Sequence, residues 1–325
     1  WSPNTQLINY TYQGASDIAA NTGTPSSPTV RTIGEKLDDF LSVKDYGAIG
    51  DGIADDTDAI QRAIADRWAS MSEIDSRSYL SMVDIFFPAG VYRITKSINL
   101  YPMTSLVGEG SERTVILMDV STDPCAMRTV DNQGNTDANI GMNGAILPTN
   151  ISIQGIKVNT YKNPTADGLR IQRASMVKVS GCAFKGGWAI GDSSASNSHG
   201  ITIDTIGNLY LCNNIYVTNT SISNYVNDLF CNDPARYVSC DQLYMSDSYR
   251  GAVFGETPTL GGPSYVKISN SIFKNITNRG LAVYSPNPGI TSTNNTYDVV
   301  GDLGGVPPIY FSTIFCIAHT KGIIF

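Results

Sequence analysis

The sequence carries little charge, and the charge it has is mostly acidic. Charged residues make up 16% of its 325 residues, well below the roughly 25% of an average globular protein. There are 29 acidic against 22 basic residues, which gives a formal net charge of -7. Nucleic acids and anionic membranes are bound through basic surfaces, so this balance argues against both as partners. No apolar run reaches the roughly 18 residues of a membrane-spanning helix, and no such span is expected.

Motifs for metal binding are also missing. The six cysteines are scattered without a C-x-x-C pair, and only His199 and His319 could join them in a zinc site. We therefore expect the cysteines to be buried, reduced thiols. No metal and no organic cofactor is predicted for this chain.

The first 41 residues hold little that could form a core. Residues 1–31 are polar and rich in turn-forming residues, a composition typical of an extended linker. In the next segment, "TIGEKLDDFL", Ile33, Leu37 and Leu41 fall on one face of a short helix. The sequence therefore predicts a linker followed by a helical neck over residues 1–41.

A glycine-rich stretch, "SVKDYGAIGDG", follows at residues 42–52. It could be a phosphate-binding loop, a pair of catalytic acids or a structural turn. Its G-x-x-G-x-G spacing is not that of a P-loop, and no Gly-Lys-Ser/Thr follows. We favour a turn in which the glycines adopt left-handed backbone angles, while Asp45 and Asp51 accept hydrogen bonds from backbone N–H groups. A catalytic role for these two aspartates is the alternative.

The segment after the glycine-rich stretch, "DDTDAIQRAIADRW", has the strongest helical pattern in the chain. Asp55, Asp56 and Thr57 offer oxygens and negative charge to the start of a helix. Apolar residues from Ile60 to Trp68 then form one stripe at helical spacing. The following "VDIFFPAGVYRI" changes to the pattern of two strands joined by a Pro-Ala-Gly turn.

From about residue 150 the sequence repeats itself. One motif, apolar-x-Asn/Gly-x-x-apolar, recurs as "IQGIKV", "VSGCAF", "VTNTSI" and "ISNSIF", with looser copies at 238–243 and 292–297. A second motif, Gly-apolar-x-apolar, begins at Gly168, Gly187, Gly251 and Gly280. Short strands with Asn or Gly turns, repeated every 20 to 40 residues or so, are typical of a parallel β-helix. The fold class predicted from these repeats is all-β.

Two segments carry a resemblance to a known family. "SVKDYGAIGDGIADDTDAIQRAI", followed by "IFFPAGVYRI", resembles the start of the pectate-lyase-like β-helix superfamily, which has a V-x-D-[FY]-G-A-x-G-D-G loop, a helix and F-P-x-G-x-Y. The resemblance implies a right-handed parallel β-helix over residues 42–325, with a short capping helix within about 42–80 and rungs from about 81. The chain begins without Met and ends on the apolar "GIIF", so we expect it to be cut from a longer polypeptide and truncated at the C-terminus.

The N-terminal flank resembles the neck of bacteriophage tailspikes, through its "PN" start, its linker and "TVRTIGEKLDDFLSVKDYGA". The resemblance implies a homotrimer, attached to the phage tail or baseplate through its N-terminus, assembled in the host cytoplasm and carried on the virion. It also implies binding to a bacterial surface polysaccharide, either capsule or O-antigen. Most family members cleave the polymer by hydrolysis or β-elimination, and some deacetylate it or only bind it. Their catalytic residues occupy no fixed motif, so none is carried over to this chain.

A column of polar residues follows the second motif. The residue five beyond its glycine is Arg173, Asp192 or Glu256, and in the degenerate copy "NDLFCND" it is Asp233. Because rungs stack about 4.8 Å apart, Asp233 and Glu256 would lie roughly 5 to 10 Å apart, the range used by glycosidases. We predict Asp233 and Glu256 as catalytic acid and base, with Asp192 beside them and Arg173 as a substrate contact. Ordinary surface carboxylates at turns are the alternative, and other acids nearby are held in reserve: Asp228, Asp241 and Asp247.

Further contacts to the glycan are expected from aromatic and basic side chains. Trp188, close to Asp192, is the best aromatic platform, although packing is the alternative for each aromatic residue of the rungs. Arg236, Tyr237 and Arg250 are predicted to bind substrate. For β-elimination a base is needed instead of an acid pair, and five residues have suitable locations: His199, Arg236, Tyr237, Arg250 and Lys267.

The function predicted from the sequence is hydrolytic depolymerisation of a bacterial surface polysaccharide. The alternatives are a polysaccharide lyase and a non-catalytic receptor-binding or structural spike. The net negative charge mildly favours a neutral glycan, although a local cluster of arginines could overrule it.

Overall fold

In the computed structural model, the chain divides into two units, Trp1–Leu41 and Ser42–Phe325. In the first unit, strands β1 (Asn9–Tyr10) and β2 (Arg31–Thr32) form an antiparallel pair. The neck helix predicted between residues 32 and 41 falls largely outside the described residues. The structure describes residues 9–10, 31–32, 40–72, 84–119, 122–189, 197–204, 212–232, 234–256, 262–284, 289–299 and 314–316.

The glycine-rich stretch is a structural turn, as predicted. After β3 (Leu41–Ser42) the chain makes a single 3-10 turn, Val43–Tyr46, in which Asp45 accepts a hydrogen bond from the backbone N–H of Ser42 at 2.9 Å. Asp51 accepts backbone hydrogen bonds from the two residues at 53 and 54, each at 2.8 Å. The three glycines have φ angles of 95°, 71° and 77°, a region that other residues adopt only with strain.

Asp56 ties this turn to the helix behind it. Its carboxylate accepts hydrogen bonds from the backbone N–H groups of Ile49 and Gly50, at 2.6 and 3.0 Å, and its side chain is buried. Its own N–H donates to the backbone carbonyl of Arg93, at 2.8 Å. Helix α1 (Thr57–Ser72) begins at the next residue. One buried carboxylate therefore fixes the glycine turn, the helix start and the neighbouring strand relative to each other.

Helix α1 extends four residues beyond the segment quoted in the sequence pattern. Its apolar stripe includes the buried Ile60, Ala63 and Ile64. Gln61 exchanges two hydrogen bonds with the backbone of Asn99, at 3.2 and 2.9 Å. Polar pairing with the sheet thus accompanies burial of the stripe.

The remainder of the second unit is a stack of rungs, each built from three parallel strand segments that belong to three sheets. Sheet I contains β5 (Ile85–Phe87), β8 (Ser105–Gly108), β11 (Thr149–Gln154), β14 (Ser175–Ser180), the first halves of β17 (Cys212–Ser223) and β19 (Ala235–Ser246), β21 (Ser264–Ser269) and β24 (Ile290–Thr293). Sheet II contains β4 (Asp51–Asp55), β6 (Gly90–Ile94), β9 (Thr114–Met118), β12 (Lys157–Asn159), β15 (Ala183–Lys185), the second halves of β17 and β19, β22 (Ile272–Ile276) and β25 (Thr296–Val299). Sheet III contains β7 (Ile98–Leu100), β10 (Cys125–Thr129), β13 (Asp167–Gln172), β16 (His199–Asp204), β18 (Asn227–Cys231), β20 (Arg250–Phe254), β23 (Arg279–Val283) and β26 (Ile314–Cys316).

The predicted all-β parallel β-helix is therefore confirmed. Two short 3-10 turns, Asp137–Asn139 and Met142–Gly144, interrupt the connection between β10 and β11. Alternate residues of each strand point into the stack, where identical positions of successive rungs lie in register. Burial is almost complete along these inward columns, for example at Ile151, Val177, Ile215, Val238 and Val266. A single rung could not bury these side chains, so stacking forms the core.

The corner between sheets I and II explains the first repeated motif. From β11 onward, the corner residue of each described rung has a positive φ, and it is the Asn or Gly of the motif in five copies. In the looser copy at 238–243 the predicted alignment is wrong, because the corner residue is Gln242, two positions later than the motif placed it. Asn side chains also form a ladder at this corner, since the amide of Asn294 donates to Asn270 at 2.6 Å and Asn270 to Asp241 at 2.8 Å.

The cysteines behave as predicted where the structure describes them. Five of the described cysteines are buried and form no disulfide, namely Cys125, Cys182, Cys212, Cys231 and Cys240. Burial raises the pKa of several of these thiols, to about 11 for Cys125 and about 12 for Cys240. Across the described residues, no helix is both long and apolar enough to cross a membrane.

Replacing Asp56 by alanine should destabilise the fold by about 2 kcal/mol, because two buried backbone N–H groups lose their acceptor. Chemical denaturation followed by circular dichroism would measure the change in unfolding free energy. Asp58→Ala is the matched control, since Asp58 lies exposed in the first turn of the same helix. An equal effect of the two variants would contradict the assigned role of Asp56.

Candidate functional site

A column of polar side chains runs along the first residues of the sheet III strands. Five successive rungs contribute Asp167, His199, Asn227, Arg250 and Arg279, in register. Each of these residues directly precedes the first position of the second repeated motif. That position is glycine in four of the five rungs because the chain turns tightly there: a Cβ on Gly168 would lie 2.6 Å from the backbone oxygen of the glycine one rung on.

Asp167 and His199 form the centre of the column. The carboxylate of Asp167 accepts hydrogen bonds from the backbone N–H of His199 and contacts its ring Nδ1, both at 2.9 Å. It also accepts hydrogen bonds from Thr202 Oγ1 and Arg170 Nε, each at 2.9 Å. The ring of His199 stacks on Phe230, with ring centroids 4.4 Å apart and an interplanar angle of 20°. The imidazole is therefore held on one edge and on one face.

The electrostatics of Asp167 favour its ionised form. Burial opposes ionisation, but His199 and Arg170 outweigh it and hold the pKa of this carboxyl below its usual range. The side chain of Asp167 is 1% exposed and that of His199 is 12% exposed. A carboxylate at Nδ1 sets the tautomer and orientation of an imidazole and leaves Nε2 to accept a proton. Within the described part of the chain, Nε2 has no hydrogen-bond partner.

Arg250 organises the later rungs of the column. Its guanidinium donates hydrogen bonds to both carboxylate oxygens of Glu256, from Nη1 to Oε1 and from Nη2 to Oε2, the latter at 3.0 Å. Its Nε donates to Asn227 Oδ1 at 2.7 Å, and Nη1 lies 3.4 Å from the hydroxyl of Tyr284. Burial opposes the charge of Arg250, but Glu256 outweighs it and raises the pKa of the guanidinium. The pair is bidentate and charge-assisted, so it fixes the orientation of Glu256.

Two of the three predicted catalytic residues lie outside the described residues. Asp192 falls in 190–196, and Asp233 is the residue between 232 and 234. Glu256, the third, is described; it is about one third exposed and lies just beyond the end of β20, beside Arg250. The distance predicted between Asp233 and Glu256 therefore stays a prediction.

The alignment that placed Asp192 in the column is wrong. Gly187 follows β15 and does not begin a strand of sheet III, whereas Gly200 does. The sequence "HGITI" repeats "DGLRI" at the same position of the rung. The count of five residues from Gly187 therefore does not begin at the same position of the rung as the counts from Gly168, Asp228 and Gly251, whose register agrees with the strand pairing.

The predicted substrate contacts fall into three groups. Arg173 is 3% exposed, and its Nη1 donates to the backbone carbonyls of Ala138 and Ile140 at 3.1 and 2.6 Å. Trp188 is also buried and packs at a tilt against Tyr249, with ring centroids 6.2 Å apart. Arg250 is engaged with Glu256, as described above. The exposed pair is Arg236 and Tyr237, which lie at the start of β19, on sheet I.

The three reserve carboxylates have structural partners. Asp228 takes the place of the motif glycine; it is buried and accepts a hydrogen bond from Ser248 at 2.6 Å. Asp241 is bonded to Ser269 and Asn270 in the corner ladder, and Asp247 accepts a hydrogen bond from Asn275 at 2.9 Å. The described residues contain no group of three His, Cys, Asp or Glu side chains that could hold a metal ion.

Asp167 is not among the residues predicted from the sequence, and His199 is predicted only as a base for β-elimination. The predicted column lies five residues after each glycine, whereas the observed polar column lies one residue before it. The signal was present in the sequence, because "DGLRI", "HGITI", "RGAVF" and "RGLAV" all place a charged or titratable residue before glycine. What that pattern could not show is which neighbours converge on Asp167, since Arg170 and Thr202 come from two different rungs.

Sequence comparisons match this chain to carbohydrate-active proteins. A family model described as rhamnogalacturonase A/epimerase, pectate lyase-like, matches residues 40–301. A glucan 1,3-beta-glucosidase of Cochliobolus carbonum is 43% identical over 82 residues, which cover 24% of this chain and 10% of that protein. The mannuronan C5-epimerase AlgE1 of Azotobacter vinelandii is 30% identical over 158 residues, which cover 44% of this chain and 10% of that protein. The chain thus spans about a tenth of the length of these curated relatives.

Structural comparisons show the same fold in phage proteins. The N-terminal fragment of bacteriophage Phi29 gene product 12 aligns with a TM-score of 0.58 and 18% identity, covering 82% of this chain and 43% of that one. The tailspike protein of Escherichia coli bacteriophage HK620, solved as the E372A mutant with a pentasaccharide, aligns with a TM-score of 0.57 and 14% identity, covering 99% of this chain and 61% of that one. The resemblance in fold to phage tailspikes, predicted from the sequence, is confirmed.

Asp228 should make stability depend on pH. Burial raises the pKa of Asp228 well above its ordinary value of 3.8, although the bond from Ser248 lowers it in part. A raised folded-state pKa contributes stability below the unfolded-state value, and this contribution is lost as the pH rises through the folded-state value. The unfolding free energy of the wild type, measured relative to Asp228→Asn, should therefore fall as the pH rises above the ordinary carboxyl pKa of 3.8.

Denaturant unfolding of both proteins at several pH values provides the measurement. Asp58→Asn is the control for loss of a carboxylate elsewhere, because Asp58 is exposed on helix α1. A difference between wild type and Asp228→Asn that does not change with pH would show that the fold does not raise the pKa of Asp228.

Proposed function

Because the chain belongs to the pectate-lyase-like rhamnogalacturonase A/epimerase family, we propose that it is a phage tailspike that binds and depolymerises a bacterial surface polysaccharide, capsule or O-antigen. The names of the curated relatives, a glucosidase that acts on glucan and an epimerase that acts on mannuronan, support a polysaccharide substrate. The tailspike fold supports the phage setting. The observation that carries the proposal is the polar column on sheet III, in which Arg250 binds the neighbouring Glu256.

The proposed reaction is glycosidic hydrolysis by Asp233 and Glu256. Both oxygens of Glu256 contact the guanidinium of Arg250, which suits a carboxylate that acts as base or nucleophile. Asp233 then protonates the glycosidic oxygen of the leaving sugar, and water completes the cleavage. Asp192 remains a further catalytic candidate because of its predicted place beside the acid and base, and the polar column on sheet III does not support it.

The substrate contacts divide by exposure. Arg236 and Tyr237, which are exposed a few residues after Asp233, are proposed to touch the glycan. Arg250 is proposed to position Glu256. Arg173 and Trp188 are buried, and they are proposed to support the loops around the site without contacting the sugar.

A second candidate reaction is β-elimination, which the Asp167–His199 pair favours. In this reaction Nε2 of His199 takes the proton from C5 of a uronic acid, the electron pair forms the C4–C5 double bond, and the bond to the oxygen on C4 breaks. Asp167 would stabilise the imidazolium that forms. The products then carry an unsaturated uronic acid and no added water. A spike that binds without cleaving is the third possibility.

The assembly proposed with this function is a homotrimer, carried on the virion after assembly in the host cytoplasm. Residues 1–41 would attach it to the phage tail or baseplate. No cofactor and no nucleic acid is assigned a role. The proposal rests on the resemblance of the N-terminal flank to tailspike necks.

Glu256→Gln and Asp233→Asn should each lower the release of reducing ends from host polysaccharide by roughly 10²- to 10⁴-fold, since each removes a proton-transfer group. Glu112→Gln is a matched control, because Glu112 is exposed and lies elsewhere on the molecule. Full activity in both variants would contradict the assignment of Asp233 and Glu256 as the catalytic residues. Binding by the wild type without any new reducing ends would identify a pure binder.

His199→Gln separates the two reactions. Under hydrolysis this variant should keep its rate within a few-fold, whereas under β-elimination it should lose roughly 10²- to 10⁴-fold, because the base is gone. Absorbance of the products near the ultraviolet edge reports unsaturated uronic acid directly. Wild-type products with that absorbance would overturn hydrolysis.

A further inference from the structure

A second column of strained residues lies at the corner where each rung enters sheet I. The residues at this corner have φ between 52° and 90° and are in register from rung to rung. In rung order they are Met103, Asn150, Met176, Asn214, Tyr237, Tyr265 and Gly289. Asn and Gly accept this backbone conformation at little cost, but a bulky residue there is an outlier.

The two tyrosines of this column are not required by the fold. Three other rungs make the same corner with Asn or Gly, so the backbone does not need an aromatic residue. Nor do the rings fill the core, since Tyr237 is 52% and Tyr265 is 54% exposed. Backbone strain that is not offset by packing of the side chain is a recurrent property of binding sites.

The pair forms a rigid stack of two parallel rings, the tyrosine platform, in which each ring covers one face of the other. The two rings stack with centroids 5.1 Å apart and an interplanar angle of 13°. Gly289 lies next in the column, and a Cβ added to it would stand 3.2 Å from Cδ1 of Tyr265. Glycine therefore leaves room for the ring of Tyr265, and the platform is formed before any ligand arrives.

Basic and hydroxyl groups surround the platform on the outer face of sheet I. One outward position holds Lys178, Tyr216, Ser239, Lys267 and Thr291 in successive rungs. Lys178 and Lys267 are exposed and stand three rungs apart, roughly 14 Å at the spacing of parallel strands.

Two further observations concern the charge and shape of this face. Asp241, on the same outer face, is engaged by Ser269 and Asn270. A groove of about 170 Å³ lies two rungs before Tyr237 and is lined by Asn150, Ile151, Ser152, Met176 and Lys178. The groove and the platform therefore lie on the same face, two to three rungs apart along the axis of the stack.

We propose that this tyrosine face, consisting of Tyr216, Tyr237, Tyr265, Lys178, Arg236 and Lys267, binds an acidic polysaccharide. The inference rests on the proposed function and specifies its substrate class. The apolar face of a pyranose ring packs on the Tyr237–Tyr265 platform, and carboxylates on neighbouring sugars pair with the lysines and Arg236. The net charge of the chain led us to expect a neutral glycan. The local positive charge of this face favours an acidic glycan instead.

The test uses the whole chain on a printed array of purified bacterial capsular and O-antigen polysaccharides, acidic and neutral. Wild type should bind acidic members selectively. Tyr237→Asn and Tyr265→Asn should weaken that binding more than tenfold, and neither should lower the midpoint of thermal unfolding, because Asn is what Asn150 and Asn214 supply at the same corner. Tyr161→Asn is the control, since Tyr161 is 49% exposed and lies outside the column. Lys178→Gln with Lys267→Gln should reduce binding to acidic polymers in particular.

The outcomes separate this inference from the proposed reaction. Unchanged binding in the tyrosine variants, selective binding of neutral polymers, or no binding by the wild type would overturn the inference. If Glu256→Gln still binds acidic polymers and the tyrosine variants do not, the binding face stands even where no cleavage is seen. If the tyrosine variants bind and cleave normally, the reaction stands and the inference fails.

Discussion

Register between successive rungs is the constraint on which the rest of this structure depends. An inward aliphatic side chain is buried only when the rungs before and after it place apolar groups at the same position, as along Ile151, Val177 and Ile215. A shift by one residue would turn every side chain of a strand to the other face. Positive-φ corners, such as Asn219 and Asn270, keep the register by turning the chain at the same point of each rung.

The same register that aligns the core also aligns polar side chains outside it. On sheet III it gathers Asp167, His199 and Arg250 from separate rungs, and Asp167 becomes a fully bonded buried carboxylate because three residues of two neighbouring strands donate to it. On sheet I it sets Tyr237 directly beside Tyr265. A stacked fold therefore builds sites by repetition, in which a residue that is unremarkable in one rung gains its role from its neighbours above and below.

The buried Asp167 and the tyrosine pair differ in whether the fold compensates for their unfavourable free energy. Asp167 is buried, yet its charge is matched by Arg170 and His199, and the pKa of its carboxyl stays below the usual range. The tyrosines at positive φ have no such compensation within the fold, because their rings are half exposed. Strain on the surface and satisfied charge in the interior point to different roles: ligand contact for the first, and orientation of a reactive ring for the second.

The sequence by itself determined the class of fold, because the glycine turn, the helix and the repeated Asn/Gly motif are local signals that backbone angles enforce residue by residue. It also predicted Glu256 by counting five residues from Gly251, and the pairing of β18 with β20 places that glycine in register with Asp228. Only the tertiary structure decided which positions of successive rungs coincide. It shows that Gly200, and not Gly187, lies at the start of a sheet III strand, and that the ring of Tyr265 stacks on that of Tyr237. Loops of unequal length between rungs hide these neighbours from the sequence, because hydrogen bonding between strands, and not distance along the chain, sets which residues meet.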